Sequence, residues 1–410
     1  MRILVLIQGS LGDRQAGPEI RGWEIVRALS SKHTVTAAAA VSEPTTREGI
    51  PVVPRSRRSI LKELRRNDAI LGTAIPPYAL AANPSCLRVA DLYDPVELEL
   101  GTAEGWRARR QAALQRAHRR LQLRWADIVM CANNRQLEAI RSDLATIDRA
   151  VPARTLTVPM GLPAPPQPAD AHPLRDRFEA IGVDDPLVLW WGSAWRWLDA
   201  PAAVEAIGML AERRPNLRLV ITAGRPSNTA TDQLNATEEV RALARERGLL
   251  DRHVFFLDEW VPFNERHLYL ADADLGIALH ADTPEAALAA RARYMDFVWA
   301  SLPSVLTEGD EVSDQLARAG AASLVPPRDV AAIAAEVDGL LADHERLDAA
   351  RRACQAVAAE FQWPELLAPL VDCLEQSPPS DRSALQGLHA AGQAGRFYAR
   401  RLVDYALSAD

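Results

Sequence analysis

"LVLWWGSAWRWLDAP", residues 187–201, carries the reading of the fold. Five apolar residues end at Gly192, a loop rich in tryptophan follows, and Pro201 suits the first turn of a helix. A short apolar run closed by glycine and followed by a helix start predicts a buried strand feeding a loop. The same order recurs elsewhere. "MRILVLIQGS" (1–10) leads through Gly9, Gly12 and Gly17 to Pro18, and "LRLVITAGRPSN" (217–228) leads to Gly224 and Arg225. Strands are predicted at 2–8, 34–41, 51–53, 68–71, 86–90 and 127–131, alternating with helical stretches near 18–30, 57–66, 104–125 and 134–144. A second series runs through 187–191, 217–222, 253–257, 275–279, 304–306 and 323–325. Continuous apolar strands separated by helices imply parallel sheets covered on both faces.

Between the two series lies the proline-rich "VPMGLPAPPQPADAHP" (158–173), whose missing amide donors and fixed φ suit a semi-rigid linker. The expectation is an α/β protein with two Rossmann-like, doubly wound parallel-sheet domains facing a central cleft. The domains span 1–160 and 161–380, and a C-terminal helix spans 381–410. Ligands of such sheets bind beyond the carboxyl ends of the strands.

Composition narrows the chemistry. The formal net charge of −7 argues against bulk nucleic-acid binding. Of the 47 basic residues only Lys32 and Lys62 are lysines, and neither lies in a P-loop pattern or a plausible Schiff-base setting. Cys86, Cys131, Cys354 and Cys373 form no C-x-x-C pair, so neither a disulfide framework nor a zinc site is expected. The first ten residues read as a strand, no window approaches a membrane span, and a cytoplasmic location is expected. "DADLGIALH" (272–280) contains Asp-x-Asp, but Asp272 and Asp274 precede their strand and so fall at its amino end. They are read as strand-start or capping residues and no metal is expected, whereas His280 falls at the carboxyl end, where it can touch ligand.

Several other polar residues fall at predicted carboxyl ends. Gly17 opens the first helix, where backbone amides favour an anion. In "VADLYDPVELE" (89–99), Asp91 is read as a cleft carboxylate able to take an acceptor's proton, with Tyr93 and Asp94 beside it. Asp94 before Pro95 also makes a good N-cap pair. Trp195 and Trp197 flank Arg196, Trp190 and Trp191 read as core, and Trp260 in "FFLDEWVPFNE" can edge a base site. In "ARARYMDFVWASLP" (290–303), Arg293 and Asp296 share a helix face, and Arg291 joins them only if the helix begins nearby. A diphosphate requires cationic or amide donors, and a ribose diol suits a carboxylate accepting two hydrogen bonds.

"RYMDFVWASLPSVLTEGDE" (293–311) resembles the donor-site pattern of the retaining GT-B glycosyltransferases of family 4, in which an acidic residue precedes a small segment and G-x-P-V-V. "AGPEIRGWEIVRALS" resembles that family's N-terminal glycine loop and helix, and "VPMGL" its interdomain crossover. "WGSAWRWLDAP" and "FLDEWVPFNERHLYLADADLGIALH" resemble its C-domain segments. The resemblance implies transfer of a sugar from a nucleoside diphosphate sugar (UDP or GDP) to a small-molecule or glycan acceptor, metal-independent and with retention. It places Asp296 on the ribose acid and Arg293 on a basic residue three positions earlier. The family's E-x7-E would begin at Leu288, so Glu285 is the nearest acid for the sugar hydroxyls. Gly192-Ser193 stands for a Gly-Arg pair, Arg196 for an absent lysine, and Ser301 for a glycine.

Two rival readings remain. The N-terminal glycine turn and Glu43 suit a nicotinamide-dependent oxidoreductase, and Leu288 with Ser193 suit a sugar-nucleotide-binding protein with weakened catalysis. The arginine-rich 107–125 segment reads first as a solvated helix face and second as a weak peripheral membrane contact.

Overall fold

The computed structural model describes residues 1–102, 105–149, 153–167, 171–224, 234–380 and 382–406. Its chain forms two compact units, one of residues 1–159 with the residues from Trp363 onward, the other Met160–Gln362.

Among its described residues unit 1 is built on eight strands: β1 (Arg2–Leu6), β2 (Thr34–Ala39), β3 (Thr45–Arg47), β4 (Ile50–Pro54), β5 (Ala69–Gly72), β6 (Leu87–Asp91), β7 (Ile128–Cys131) and β8 (Arg154–Thr157). They lie in the order β3-β4-β2-β1-β5-β6-β7-β8, all parallel except the β3–β4 pair. The helices between them are α1 (Gly17–Ser30), α2 (Arg57–Leu64), α3 (Pro77–Ala82), α4 (Val96–Glu99), α5 (Trp106–Trp125) and α6 (Asn134–Thr146). β1, β5 and β6 are buried along nearly their whole length because helices cover both faces, and the two charged residues of β6, Arg88 and Asp91, are buried with it. β3 and β8 are absent from the sequence expectation. Each is an edge strand, exposed or half-buried, and so carries no continuous apolar run.

Unit 2 holds α7 (Pro173–Arg177), β9 (Leu187–Trp190), α8 (Ala200–Leu210), β10 (Arg218–Thr222), α9 (Thr237–Glu246), β11 (Val254–Leu257) and α10 (Arg266–Ala271). It continues through β12 (Leu275–Ala278), α11 (Pro284–Leu288), α12 (Ala292–Trp299), β13 (Ser304–Thr307), α13 (Glu311–Arg318), β14 (Ala322–Val325), α14 (Val330–Ala342) and α15 (His344–Glu360). Among the described residues its parallel strands run β11-β10-β9-β12-β13-β14. The direction of the order reverses between β9 and β12, and sheets of this kind bind ligands beyond the carboxyl ends of the strands at such a point.

The sequence expectation grouped 161–380. In the structure α16 (Trp363–Glu375) packs on α1, and α17 (Ala384–Ala406) packs on α3 and α5, so both helices belong to unit 1. The apolar side of α16, with Leu367, Leu370 and Leu374, is buried there.

One contact in unit 2 sets the place of α12. A Cβ at Gly276, on β12, would lie 2.9 Å from ring carbons of Phe297. The ring of Phe297 therefore rests on bare backbone, and Arg293, one turn earlier on the same helix face, is carried toward the strand's carboxyl end. Gly276→Val is expected to destabilise the protein by about 1–3 kcal/mol, read by chemical denaturation. An unchanged midpoint would show that α12 is not seated through this contact.

Candidate functional site

The site grows from the loop that leaves β9. Gly192 has φ +83°, a left-handed conformation that glycine adopts without strain, and its N–H donates to Thr222 Oγ1 at 2.6 Å. Ser193 Oγ donates to the carbonyl of Gly224 at 2.7 Å, tying the loop to the end of β10. On the other side the Asp199 N–H donates to the Leu279 carbonyl at 2.9 Å, and Leu198 bridges to His280 beyond β12. The loop thus spans the point where the strand order reverses.

Arg293 enters this loop from α12. Its Nη2 donates to the Ser193 carbonyl at 3.3 Å and lies 3.5 Å from where a Cβ on Gly192 would be. The guanidinium carbon sits 5.5 Å from the Trp190 ring centroid, a packing that favours a cation. Nη1 is buried and has no hydrogen-bond acceptor, and among the described residues no carboxylate lies within ion-pair distance of Arg293. Burial and repulsion from Arg291 hold its pKa down to about 10. A charged donor held without an acceptor is poised for an anion.

Gly224 lies close to the backbone of Glu259 and Trp260, where a Cβ would meet Trp260 Cα at 2.9 Å. Gly192, Ser193, Gly224, Trp260 and Arg293 therefore come together along the ends of β9, β10 and β11. The indole N–H of Trp260 is buried without an acceptor.

Asp296 is half-buried, and burial raises its pKa. Its Oδ2 accepts from Trp191 Nε1 at 3.0 Å and its Oδ1 faces Arg266 Nε at 3.4 Å. Arg266 is itself held between the rings of Phe263 and Trp299, 3.9 and 4.1 Å from their centroids. Trp191, expected in the core, is thus a partner of the candidate ribose acid. Arg266 and Thr222 were missed altogether, since only chain reversal over many residues brings them to this edge.

Other expected residues turn elsewhere. Arg291 precedes α12 and is buried in an ion pair with Glu285, Nη2 to Oε2 3.0 Å. Burial lowers the Arg291 pKa, but Glu285, Tyr294 and Asp310 together outweigh it, so the pKa rises. Glu285, expected to meet sugar hydroxyls, is 2% exposed and committed to this pair. His280 is buried, with Nδ1 3.1 Å from the Ala281 carbonyl and Nε2 3.5 Å from Asp310 Oδ2. Arg196 turns to an exposed ion pair with Glu239 on α9, so the structure does not bring it to Arg293. Arg225 lies outside the described residues.

In unit 1 the correction is larger. Asp91, read as a cleft base, is sealed in a bidentate ion pair with Arg21, at 2.7 and 2.9 Å, with both side chains 1% exposed. Tyr93 is buried, with Arg21 4.8 Å from its ring centroid. Asp94 is not the helix cap, because α4 begins with Pro95 at its N-cap and no side-chain cap. Gly17 does open α1, but Glu19 bends back to accept from the Ala16 N–H at 3.0 Å, and its carboxylate fills the space where a Cβ on Gly9 would lie. Asp272 and Asp274 follow the capping expectation: Asp272 accepts from the Leu174 and Arg175 amides at 2.8 and 3.1 Å, and Asp274 from the Leu187 amide at 2.8 Å.

No protein-family model matches the sequence, and a search of curated proteins finds no match. Solved structures do match. Sucrose-phosphate synthase from Thermosynechococcus elongatus is similar with a TM-score of 0.67 at 16% identity, over 92% of this chain and 99% of that one. Anabaena HepE, solved in complex with UDP-glucose, is similar with a TM-score of 0.67 at 15% identity, over 92% and 100%. WaaG, a glycosyltransferase involved in lipopolysaccharide biosynthesis, gives 0.66 at 16% identity over the same shares. This chain has the GT-B fold. At such identities the likeness speaks for the GT-B architecture alone, and the chemistry rests on the residues at the end of β9 and on α12.

Proposed function

We propose that this protein is a metal-independent glycosyltransferase that moves a sugar from a nucleoside diphosphate sugar to a small-molecule or glycan acceptor with retention of configuration. The observation that carries this reading is Arg293, a half-buried guanidinium whose enclosed Nη1 has no acceptor, beside the bare backbone of Gly192. It would hold the diphosphate and stabilise the charge that develops as the sugar departs, an effect worth about 2.7–4 kcal/mol per key donor. Asp296 would take the ribose. Trp191 and Arg266 occupy two of the roughly four acceptor positions of its carboxylate, and the others suit a diol. Glu285, paired with Arg291, is no candidate for a covalent nucleophile, which supports attack on the same face from which the diphosphate leaves. UDP ranks before GDP on the likeness to HepE bound to UDP-glucose.

Two observations bear on the rivals. Glu19 places a carboxylate at the start of α1, where a dinucleotide pyrophosphate would need the helix amides, and this disfavours the oxidoreductase. The burial of Glu285 favours the reading in which the site binds sugar nucleotides but turns over weakly. A thermal-shift panel separates all three. UDP- or GDP-sugars are expected to raise the melting temperature, NAD(H) and NADP(H) to leave it unchanged, and sustained release of free nucleotide to mark an active transferase. A shift with NADP(H) alone would overturn the proposal, and donor binding without any turnover would select the weakened form.

A further inference from the structure

The second candidate site lies in unit 1, on the face shared by α5 and α17. Among the described residues six large apolar side chains are exposed, and four of them, Trp106, Leu385, Leu388 and Leu402, belong to these two helices. The leucines are 70–77% exposed, far beyond what a solvated helix face requires. At 100° per residue Leu402, Leu388, Leu385, Arg396 and Arg400 fall within an arc of about 160° on α17. The opposite side anchors the helix: Ala390 and Ala394 are buried, Trp125 Nε1 donates to Gln393 at 2.9 Å, and Tyr398 stacks on Tyr78 with centroids 6.4 Å apart. The outward leucines are therefore displayed by a firmly seated helix.

Beside this arc a groove of about 570 Å³ runs between α5 and α17, with Leu121, Ile147 and Phe397 among its apolar lining. Arg120, Arg396 and Arg400 line it as well, and among the described residues no hydrogen bond or ion pair holds any of the three. The one acidic residue of the lining, Asp148, is paired with Arg124 at 3.1 Å. The 146–148 segment joins α6 to the amino end of β8, so the groove lies at the amino edge of its sheet, away from the carboxyl edge where ligands of such folds bind.

We infer that this face docks on an anionic phospholipid surface. Phosphate headgroups meet the three unpaired guanidinium groups, and the leucines of α17 enter the boundary between headgroups and acyl chains. Neither feature suffices alone: the charges lend dependence on anionic lipid and salt, and the leucines provide apolar contact.

The test is co-sedimentation of the full chain with vesicles of phosphatidylcholine mixed with phosphatidylglycerol, and with vesicles of phosphatidylcholine alone. Binding is expected to the mixed vesicles only, and to weaken as salt rises. The variant R120E/R396E/R400E is expected to lower the bound fraction at least about tenfold. L385S/L388S/L402S should lower it severalfold at unchanged salt dependence. All six positions are exposed or line an open groove, so both variants should keep the parent melting temperature. Absence of vesicle binding, equal binding to neutral vesicles, or undiminished binding by the arginine variant would overturn the inference. Concentration-dependent dimers in sedimentation velocity, lost in the leucine variant and accompanied by no lipid binding, would assign the face to a second copy of the chain and overturn it equally.

Discussion

Arg293→Ala is expected to lower kcat/KM for sugar transfer by a hundredfold or more while the apoprotein melts no lower than the parent. The two effects have one cause. Arg293 is half-buried with its Nη1 enclosed and left without an acceptor, and desolvation together with repulsion from Arg291 disfavours its charged form and holds its pKa near 10. An uncompensated buried charge costs stability, so removing it relieves the folded state even though one hydrogen bond to the Ser193 carbonyl is lost. With donor bound the balance reverses, because the diphosphate supplies the missing acceptor and the negative charge. The parent should therefore show a large nucleotide-induced rise in melting temperature and the variant little or none. Steady-state kinetics with thermal shift in the presence and absence of nucleoside diphosphate checks both parts. Near-parental turnover would remove Arg293 from the site, and a sharply destabilised apoprotein would make it a structural residue.

The second large effect is at Arg21. This side chain bonds Asp91 through Nε and Nη2 and donates from Nη1 to the carbonyls of Val158 and Pro159 at 2.9 and 3.1 Å. One guanidinium thus joins α1, the end of β6 and the segment beyond β8. Burial alone would lower its pKa, yet the attraction of Asp91 prevails and raises it. Asp91→Ala leaves that cation buried and unpaired, and is expected to cost about 3–5 kcal/mol, a large share of the roughly 5–15 kcal/mol of an ordinary domain. Replacing both partners, as in R21M/D91L, should recover more than half of the loss, because no buried charge remains. Urea denaturation of the two single variants and the double variant reads the coupling. The double variant also decides the role of Asp91: retained transferase activity means a structural carboxylate, whereas a stable but inactive protein would restore it to the chemistry.

These two arginines mark where sequence reading succeeds and where it stops. Alternating apolar runs and glycine-closed loops determine the strands, since a strand buried on both faces is apolar at most positions. The α/β class, the parallel sheets and the strand-then-glycine loops at Gly192 and Gly224 follow from that local rule. Arg293 became a candidate for a related reason: a charge inside an apolar helix needs a partner or a ligand, whatever the fold. The partners themselves were decided only by tertiary structure. Arg21 and Asp91 are 70 residues apart, Arg293 and Ser193 are 100 apart, and ion pairing depends on distance in space. Asp91, Glu285 and Arg196 each had the right chemistry at the right strand or helix end, but each was claimed by an opposite charge that folding placed beside it. Period and composition state what a side chain needs, and the packing of the helices against the sheets settles which group meets that need.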